Sequence, residues 1–267
     1  MKKEDIIVIV PIHEYNNKVH ELLGQAVSSV PSDVDVCFSC NKECYGNLAK
    51  DFADLKPIII PSESSSFQHL VNAAVKHIDS NEKKYSWFSI LEYDDTYTPY
   101  WFDEAIRYYE AKPEVSMLMP LTDLVKEHEG EKRFYGYGNE APWASAFSNE
   151  IGYIDFDVLN TYFDFYATGS LLSIDDFLSV GGLKESIKLS FWFEFMLRLT
   201  DQGKKIFVVP KVGYVHWVGR ENSLFDTYSK TMDKKESEWW NELAKQECFF
   251  KKDRNKRYEQ NKDKEEE

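Results

Sequence analysis

Short apolar runs alternate with amphipathic segments along most of the chain. Residues 6–10 form an unbroken β-branched run that ends at Pro11, which is typical of a strand buried on both faces of a parallel sheet. In residues 17–30 the apolar side chains recur at helical spacing and share one face of a helix. This alternation of strands and helices predicts an α/β fold with a doubly wound sheet.

The same alternation continues through the middle of the chain. It predicts strands at residues 34–38, 57–60, 87–91, 115–120 and 205–209, and helices at residues 67–78, 99–111, 176–180 and 190–200. Residues 122–148 contain glycines and aromatic residues with weak helical periodicity, which predicts a hairpin or a loop that covers a site. Ligands of such sheets bind beyond the carboxyl ends of the strands, so these ends should converge on one crevice.

The C-terminal part of the sequence has a different character. From residue 229 onward the pattern is helical and highly charged, with few apolar anchors such as Trp239 and Trp240. We therefore expect two regions, an α/β domain at residues 1–228 and a charged helical extension at residues 229–267. The extension should pack partly on the domain and end as a solvated tail.

The composition restricts the possible partners. The formal net charge is -14 at pH 7, and an acidic surface of this kind repels phosphates, so we expect no general affinity for nucleic acids or anionic membranes. No run of about 18 apolar residues occurs, and the apolar stretch near the N-terminus is too short for a signal peptide. These features predict a cytoplasmic protein without a transmembrane segment.

The four cysteines suggest neither a disulfide framework nor a zinc site. They are too few and too unevenly spaced for a framework in a chain of 267 residues. Cys37 belongs to the predicted strand at residues 34–38, where alternation would turn Cys37 and Cys40 to opposite faces.

Three carboxylates follow the strand predicted at residues 87–91. Glu92, Asp94 and Asp95 lie within four residues of one another, and carboxylates gathered this closely repel unless a cation binds among them. Oxygen ligands suit Mg²⁺ or Mn²⁺, which usually complete their coordination with water and substrate phosphates. The alternative is an acidic turn that caps the helix at residues 99–111, with Asp94 or Asp95 accepting backbone N–H bonds.

Residues 6–223 resemble the GT-A-fold glycosyltransferases of the large family 2. Five landmarks occur in the family's order: a strand that ends in Pro11, the helix that carries Asn72, Glu92-Tyr93-Asp94 in place of an Asp-x-Asp motif, the pair Gly181-Gly182, and the Arg198 helix followed by a strand and His216. The resemblance implies a GT-A, Rossmann-like mixed sheet with flanking helices. It implies a metal site of Mn²⁺ or Mg²⁺ at Asp94 and His216. It also implies donor contacts from Pro11, His13, Glu14, Gln68, Asn72, Glu92, Tyr93 and Asp95.

The chain departs from the family at the general base that deprotonates the acceptor hydroxyl. The family usually supplies this base from an acidic pair six or seven residues before the helix arginine, where this chain has Phe191 and Trp192. Glu194 lies one helical turn before Arg198 among aromatic residues that could raise its pKa, so it is the candidate base. The alternative is an ion pair between Glu194 and Arg198 on the helix surface.

The sequence therefore predicts a metal-dependent glycosyltransferase. It would move a sugar from a nucleoside-diphosphate sugar, with a UDP-sugar as the first expectation, to an acceptor hydroxyl with inversion. Aromatic residues at 134–143 and 153–166 should lie near the acceptor. A degenerate GT-A module with a binding or structural role is the alternative. A nucleotidyltransferase would need a glycine-rich phosphate loop with a basic residue near the first strand, and that segment has none.

Overall fold

The computed structural model describes residues 1–81, 84–145, 147–148, 150–162, 164–220, 223, 230 and 242. The extension predicted at residues 229–267 lies outside the described residues except for two isolated positions, so that region remains a prediction. No helix in the described ranges combines the length and the apolar character needed to cross a membrane.

Strands and helices alternate along the described chain. The strands are β1 Ile6–Ile12, β2 Asp35–Asn41, β3 Ile58–Ser62, β4 Trp87–Ile90, β5 Thr96–Tyr97, β6 Val115–His128, β7 Glu131–Gly138, β8 Tyr153–Ile154, β9 Leu171–Ser173 and β10 Lys205–Trp217. The helices are α1 Asn17–Ser28, α2 Tyr45–Asp51, α3 Phe67–Asn81, α4 Trp101–Ala111, α5 Phe156–Thr161, α6 Ile174–Ser179 and α7 Phe191–Asp201.

The strands form one mixed sheet. Its order is β3-β2-β1-β4-β9-β6-β10-β5, with β7 paired to β6 and β8 paired to β10. Strands β1 to β4 are mutually parallel, as are β6 and β10, whereas β5, β7, β8 and β9 join antiparallel. The predicted α/β fold with a mixed, doubly wound sheet is confirmed.

Helices cover both faces of this sheet. Ile6 of β1 packs in one core with α1 and α4, whereas Ile7 packs in the other core with α3 and α7. Strand β1 is therefore buried at every position, which explains its unbroken apolar run. The same alternation places Cys37 and Cys40 of β2 in opposite cores.

Strands β6 and β10 are much longer than the sequence predicted. The predicted strand at residues 205–209 ends before Pro210, and proline cannot donate a ladder hydrogen bond. In the structure the β10–β6 register shifts between Val209 and Val212, and parallel pairing then continues to Trp217 opposite Val125. The irregularity absorbs the proline and carries β10 on to the region after β4. The hairpin predicted within residues 122–148 is formed by β6 and β7.

Glycine at position 213 allows β10 to cross close to α4. A Cβ atom at Gly213 would lie 2.4 Å from a ring atom of Trp101 and 2.7 Å from Cβ of Pro120. Trp101 has no exposed surface, so its ring has little room to yield.

We expect Gly213→Ala to lower the free energy of unfolding by about 1–3 kcal/mol, because the added methyl overpacks the Trp101 contact. Gly24→Ala is the matched control, since Gly24 lies inside α1 with nothing within 4 Å of the position of a Cβ. That substitution should raise the free energy of unfolding by about 0.5–1 kcal/mol. Urea unfolding followed by tryptophan fluorescence measures both, and effects of the same sign would contradict the packing argument.

Candidate functional site

The pairing of β5 with β10 brings two distant segments together. Val215 lies opposite Thr96 in an antiparallel register, so the residue before Thr96 meets the residues after Val215. The Asp95 carboxylate accordingly lies 2.7 Å from Nδ1 of His216 and accepts the backbone N–H of Trp217 at 2.8 Å. Asp95 and His216 are 121 positions apart in the sequence.

Glu92 completes a group of three possible metal ligands. One ligand atom from each of Glu92, Asp95 and His216 can be chosen so that all three lie within 4.8 Å of one another. The turn that carries them is fixed internally, because the backbone N–H of Glu92 donates to the Tyr214 hydroxyl at 3.1 Å and that of Asp95 donates to the Glu92 carbonyl at 3.1 Å. Two carboxylates and an imidazole at this spacing can converge on one cation.

In the absence of a cation, Glu92 and His216 bind their protons more tightly than the free side chains do, because the pKa of each is raised. Burial, together with the neighbouring Asp95 carboxylate, raises the pKa of Glu92 to about 8. Burial alone would lower the pKa of His216, but the bonded Asp95 carboxylate raises it to about 9. At neutral pH a metal ion would therefore have to displace protons in order to bind.

Asp94 faces a different partner from the one predicted. Its carboxylate accepts a hydrogen bond from Nε of Arg220, and Nη2 of the same guanidinium donates to the Tyr93 hydroxyl at 3.1 Å. Nζ of Lys132 donates to the Asp94 carbonyl at 3.4 Å and lies 4.0 Å from the centre of the Trp217 ring. The carboxylates grouped with His216 are thus Glu92 and Asp95. The metal role of Asp94 remains a prediction.

Sequence reasoning missed Arg220 and Lys132. Arg220 is 126 positions from Asp94, and no local pattern connects a basic residue after β10 with an acidic turn after β4. The only local signal is Gly219, whose φ of +70° turns the chain directly before Arg220.

The end of β1 reaches the same edge of the sheet. Pro11 is buried within β1, and the ring centre of His13 lies 5.7 Å from that of Tyr93. Burial lowers the pKa of His13, whose Nε2 lies 3.9 Å from the exposed carboxylate of Glu14. The structure therefore brings His13 to the turn after β4, and the donor contacts predicted for Pro11, His13, Glu14 and Tyr93 remain predictions.

An aromatic side chain borders His216. The ring centre of Tyr166 lies 5.6 Å from that of His216. Asn139 fixes the position of Tyr166, because the Asn139 side-chain amide donates to the Pro120 and Tyr166 carbonyls and accepts the Tyr166 N–H. One of the aromatic residues predicted near the acceptor thus lies beside the three-ligand group.

Gln68 and Asn72 hold another segment of the chain. Nε2 of Gln68 donates to the Ile187 carbonyl at 2.7 Å. The Asn72 amide donates to the Leu183 carbonyl at 2.7 Å and accepts the Leu183 N–H at 2.9 Å. These bonds explain the two amides structurally, and the donor contacts predicted for them are not needed to account for either residue.

Glu194 forms the ion pair with Arg198 that the sequence allowed as an alternative. The pair lies in the core and not on the helix surface. Its side chain has no exposed surface, and its two oxygens accept hydrogen bonds from Nε and Nη2 of Arg198 at 2.5 and 2.7 Å. Nζ of Lys184 lies 3.1 Å from the same carboxylate, and Arg198 also donates to the Gly182 carbonyl at 2.7 Å. The ion pair with Arg198 and the contact with Lys184 account for Glu194 structurally, and its role as the base remains a prediction.

We expect Glu194→Gln to lower the free energy of unfolding by about 3–5 kcal/mol, because it leaves the buried Arg198 guanidinium without its counter-ion. The control is Glu104→Gln in the exposed Glu104–Arg107 pair, which should cost less than about 1 kcal/mol. Chemical denaturation of both variants compares them. Equal stability of Glu194→Gln and the wild type would show that the buried pair contributes nothing.

The raised pKa of His216 predicts a pH-dependent stability. The folded chain holds this proton more tightly than the unfolded chain does, so the stabilisation is fully present below pH 6.5 and is lost as the pH rises through about 9. The loss should amount to about 3 kcal/mol. Asp95→Asn removes the carboxylate that raises the pKa of both His216 and Glu92, and it should flatten the dependence.

Urea unfolding between pH 6 and 9.5 measures this effect. His128→Gln, at an exposed position, should keep the pH dependence of the wild type. If Asp95→Asn and the wild type lost stability in parallel, the Asp95–His216 contact would not be its source.

The fold can be compared with known proteins now that the site is described. No protein-family model and no curated protein matches the chain. S. aureus TarS 1-349 in complex with UDP-GlcNAc has a TM-score of 0.59 at 14% identity, over 85% of this chain and 61% of that one. The same TarS fragment in complex with UDP gives 0.57 at 15% identity, over 86% and 63%.

A third similar structure is that of a mannosyltransferase. The mannosyltransferase PcManGT from Pyrobaculum calidifontis, in complex with GDP-Man and Mn²⁺, has a TM-score of 0.51 at 14% identity, over 82% of this chain and 58% of that one. The chain thus spans about three fifths of the length of each of these structures. Likeness at this identity is a likeness of fold. The chain has the GT-A fold, and the resemblance to GT-A-fold glycosyltransferases is confirmed at that level.

Proposed function

We propose that the chain is a glycosyltransferase that moves a sugar from a nucleoside-diphosphate sugar to an acceptor hydroxyl and depends on Mn²⁺ or Mg²⁺. The observation that carries the proposal is the convergence of Glu92, Asp95 and His216 at the carboxyl ends of the strands of a GT-A fold. Ligands of open α/β sheets bind at this edge. Proteins of similar fold have been solved with UDP-GlcNAc and GDP-Man, and we propose a UDP-sugar as the first donor to test.

The three ligands fit a divalent cation of the proposed kind. Carboxylate oxygens suit both Mg²⁺ and Mn²⁺, and the imidazole of His216 favours the less oxygen-selective Mn²⁺. Three protein ligands on one side leave the remaining coordination positions for water and phosphate oxygens. A bound cation would neutralise the charge that develops on the departing diphosphate.

The chain's own residues would hold this site in shape. Asp95 fixes both the His216 ring and the Trp217 backbone, so the end of β10 cannot move independently of the turn after β4. The Tyr214 hydroxyl secures the start of that turn through the N–H of Glu92. Gly169 lets the Tyr214 ring approach, because a Cβ there would lie 2.4 Å from a ring atom. Such fixed geometry lowers the cost of ordering the ligands when a donor binds.

The acceptor side supports a second candidate, a nucleotide-binding module without turnover. Phe191 and Trp192 occupy the positions of the family's acidic pair, and Glu194 is buried against Arg198 and Lys184. Inversion needs a general base near the acceptor hydroxyl, so it is the finer part of our proposal and depends on a base not yet assigned. Both candidates share the donor site and differ only in turnover.

We expect UDP to bind in the presence of Mn²⁺, and Asp95→Asn to weaken this binding at least about tenfold because it removes a proposed ligand that also orients His216. Isothermal titration calorimetry with and without Mn²⁺ measures the affinity. Asp33→Asn is the control, since the Asp33 side chain is 61% exposed and its carboxylate lies 3.6 Å from Nζ of Lys3. Absence of UDP binding in the wild type would refute the donor site, and binding unaffected by Mn²⁺ would refute the metal.

Release of UDP from UDP-sugars separates the two candidates. A glycosyltransferase should release UDP in a reaction that Asp95→Asn suppresses, whereas a binding module should bind UDP without releasing it from any donor. With an acceptor in hand, the anomeric configuration of the product, measured by NMR, would test inversion.

A further inference from the structure

Arg220 is bonded to the carboxylate of Asp94, the residue to which the family resemblance assigned the metal. Its Nε donates to the Asp94 carboxylate and its Nη2 donates to the Tyr93 hydroxyl, while the guanidinium lies 5.3 Å from the centre of the Tyr93 ring. The two charged side chains are 10% and 9% exposed, so little water screens them. The Arg220–Asp94 ion pair therefore neutralises part of the negative charge of the turn before any ligand binds.

A second cation lies beside the same residue. Lys132 on β7 places its Nζ 3.4 Å from the Asp94 carbonyl while covering the Trp217 ring. Arg220 and Lys132 come from different elements, the segment after β10 and the β6–β7 hairpin, and meet at one turn. Arg220 bonds the Asp94 carboxylate, whereas Lys132 bonds only the Asp94 carbonyl, and two cations placed together in this way suit an incoming group with several negative charges.

The chemistry of these groups suggests an exchange of partners. The planar guanidinium of arginine bonds phosphate oxygens as well as it bonds a carboxylate. Asp94 lies between Glu92 and Asp95 in the sequence, on the turn that carries these two of the three possible metal ligands, so its carboxylate would be near the cation once free of Arg220. A cation at that group competes with Arg220 for the same carboxylate charge.

We propose that Arg220 is an exchangeable counter-ion of the donor site. It pairs with Asp94 in the unloaded protein and moves to the diphosphate oxygens of the donor when nucleotide and cation bind together, with Lys132 as a second contact to the diphosphate. Asp94 then becomes free to face the cation. This inference rests on the proposed donor site and adds the residues that would recognise the diphosphate.

The exchange predicts opposite effects of one substitution. Arg220→Gln removes the competitor for Asp94, so Mn²⁺ alone should bind more tightly, on the order of three- to tenfold. The same variant lacks a charged donor to the diphosphate, so UDP in saturating Mn²⁺ should bind about tenfold or more weakly. A residue with a purely structural role would change both affinities in the same direction.

Two calorimetric titrations test this, one with MnCl₂ alone and one with UDP in saturating Mn²⁺. The matched control is Arg107→Gln on α4, which makes the same charge change at an exposed ion pair and should leave both affinities unchanged. Weaker binding in both titrations of Arg220→Gln, or no change in either, would overturn the exchange. If the wild type itself bound no UDP, the proposed donor site would fail and the exchange with it.

Arg220→Lys keeps the test decisive if the glutamine variant does not fold. Lysine retains the charge but loses the planar pair of donors, so UDP should bind several-fold more weakly than to the wild type. Wild-type affinity of the lysine variant for both Mn²⁺ and UDP would overturn the specific role of the guanidinium.

Discussion

The buried carboxylate of Asp95 is the contact on which the candidate site depends. It is 2% exposed and bonds at once to the His216 ring and to the Trp217 backbone. A buried charge is costly unless it is fully paired, so these bonds fix the position of Asp95 and are fixed by it. The antiparallel register of β5 on β10 supplies the geometry, and Asp95 converts that register into a single arrangement of the ligands.

Charge of both signs is concentrated around this contact. The chain carries a formal net charge of -14, and its long-range field disfavours the approach of an anionic nucleotide. Arg220, Lys132 and the imidazole of His216 provide local positive charge at the turn that holds Glu92, Asp94 and Asp95. A divalent cation would add to this local charge. An acidic protein of this kind would have to bind a diphosphate through such short-range groups, and the low exposure of the Arg220 side chain, 10%, limits its screening by solvent.

The sequence predicted those features that depend on neighbouring residues. Strand β1 and helix α3 follow from local periodicity, and the carboxylates after β4 are contiguous. The extension of β10 was missed because Pro210 resembles a strand end, and only its pairing with β6 shows that the strand continues. Arg220 was missed because its partner is distant in the sequence. The burial of Glu194 could not be predicted from the pattern of helix α7. Residues 193–199 are all buried, so this helix has no polar face that would separate buried from exposed positions.

The network around the buried Glu194 has a different physical basis from the turn that holds Glu92, Asp94 and Asp95. The Glu194–Arg198 pair and the amides of Gln68 and Asn72 all bond to the backbone between residues 180 and 187 or support it. Buried polar networks of this kind are satisfied in one arrangement only, so they select a conformation more than they add stability. The proposed donor site includes charged groups for which we propose an exchange of partners, whereas the groups of this network are held in a single arrangement.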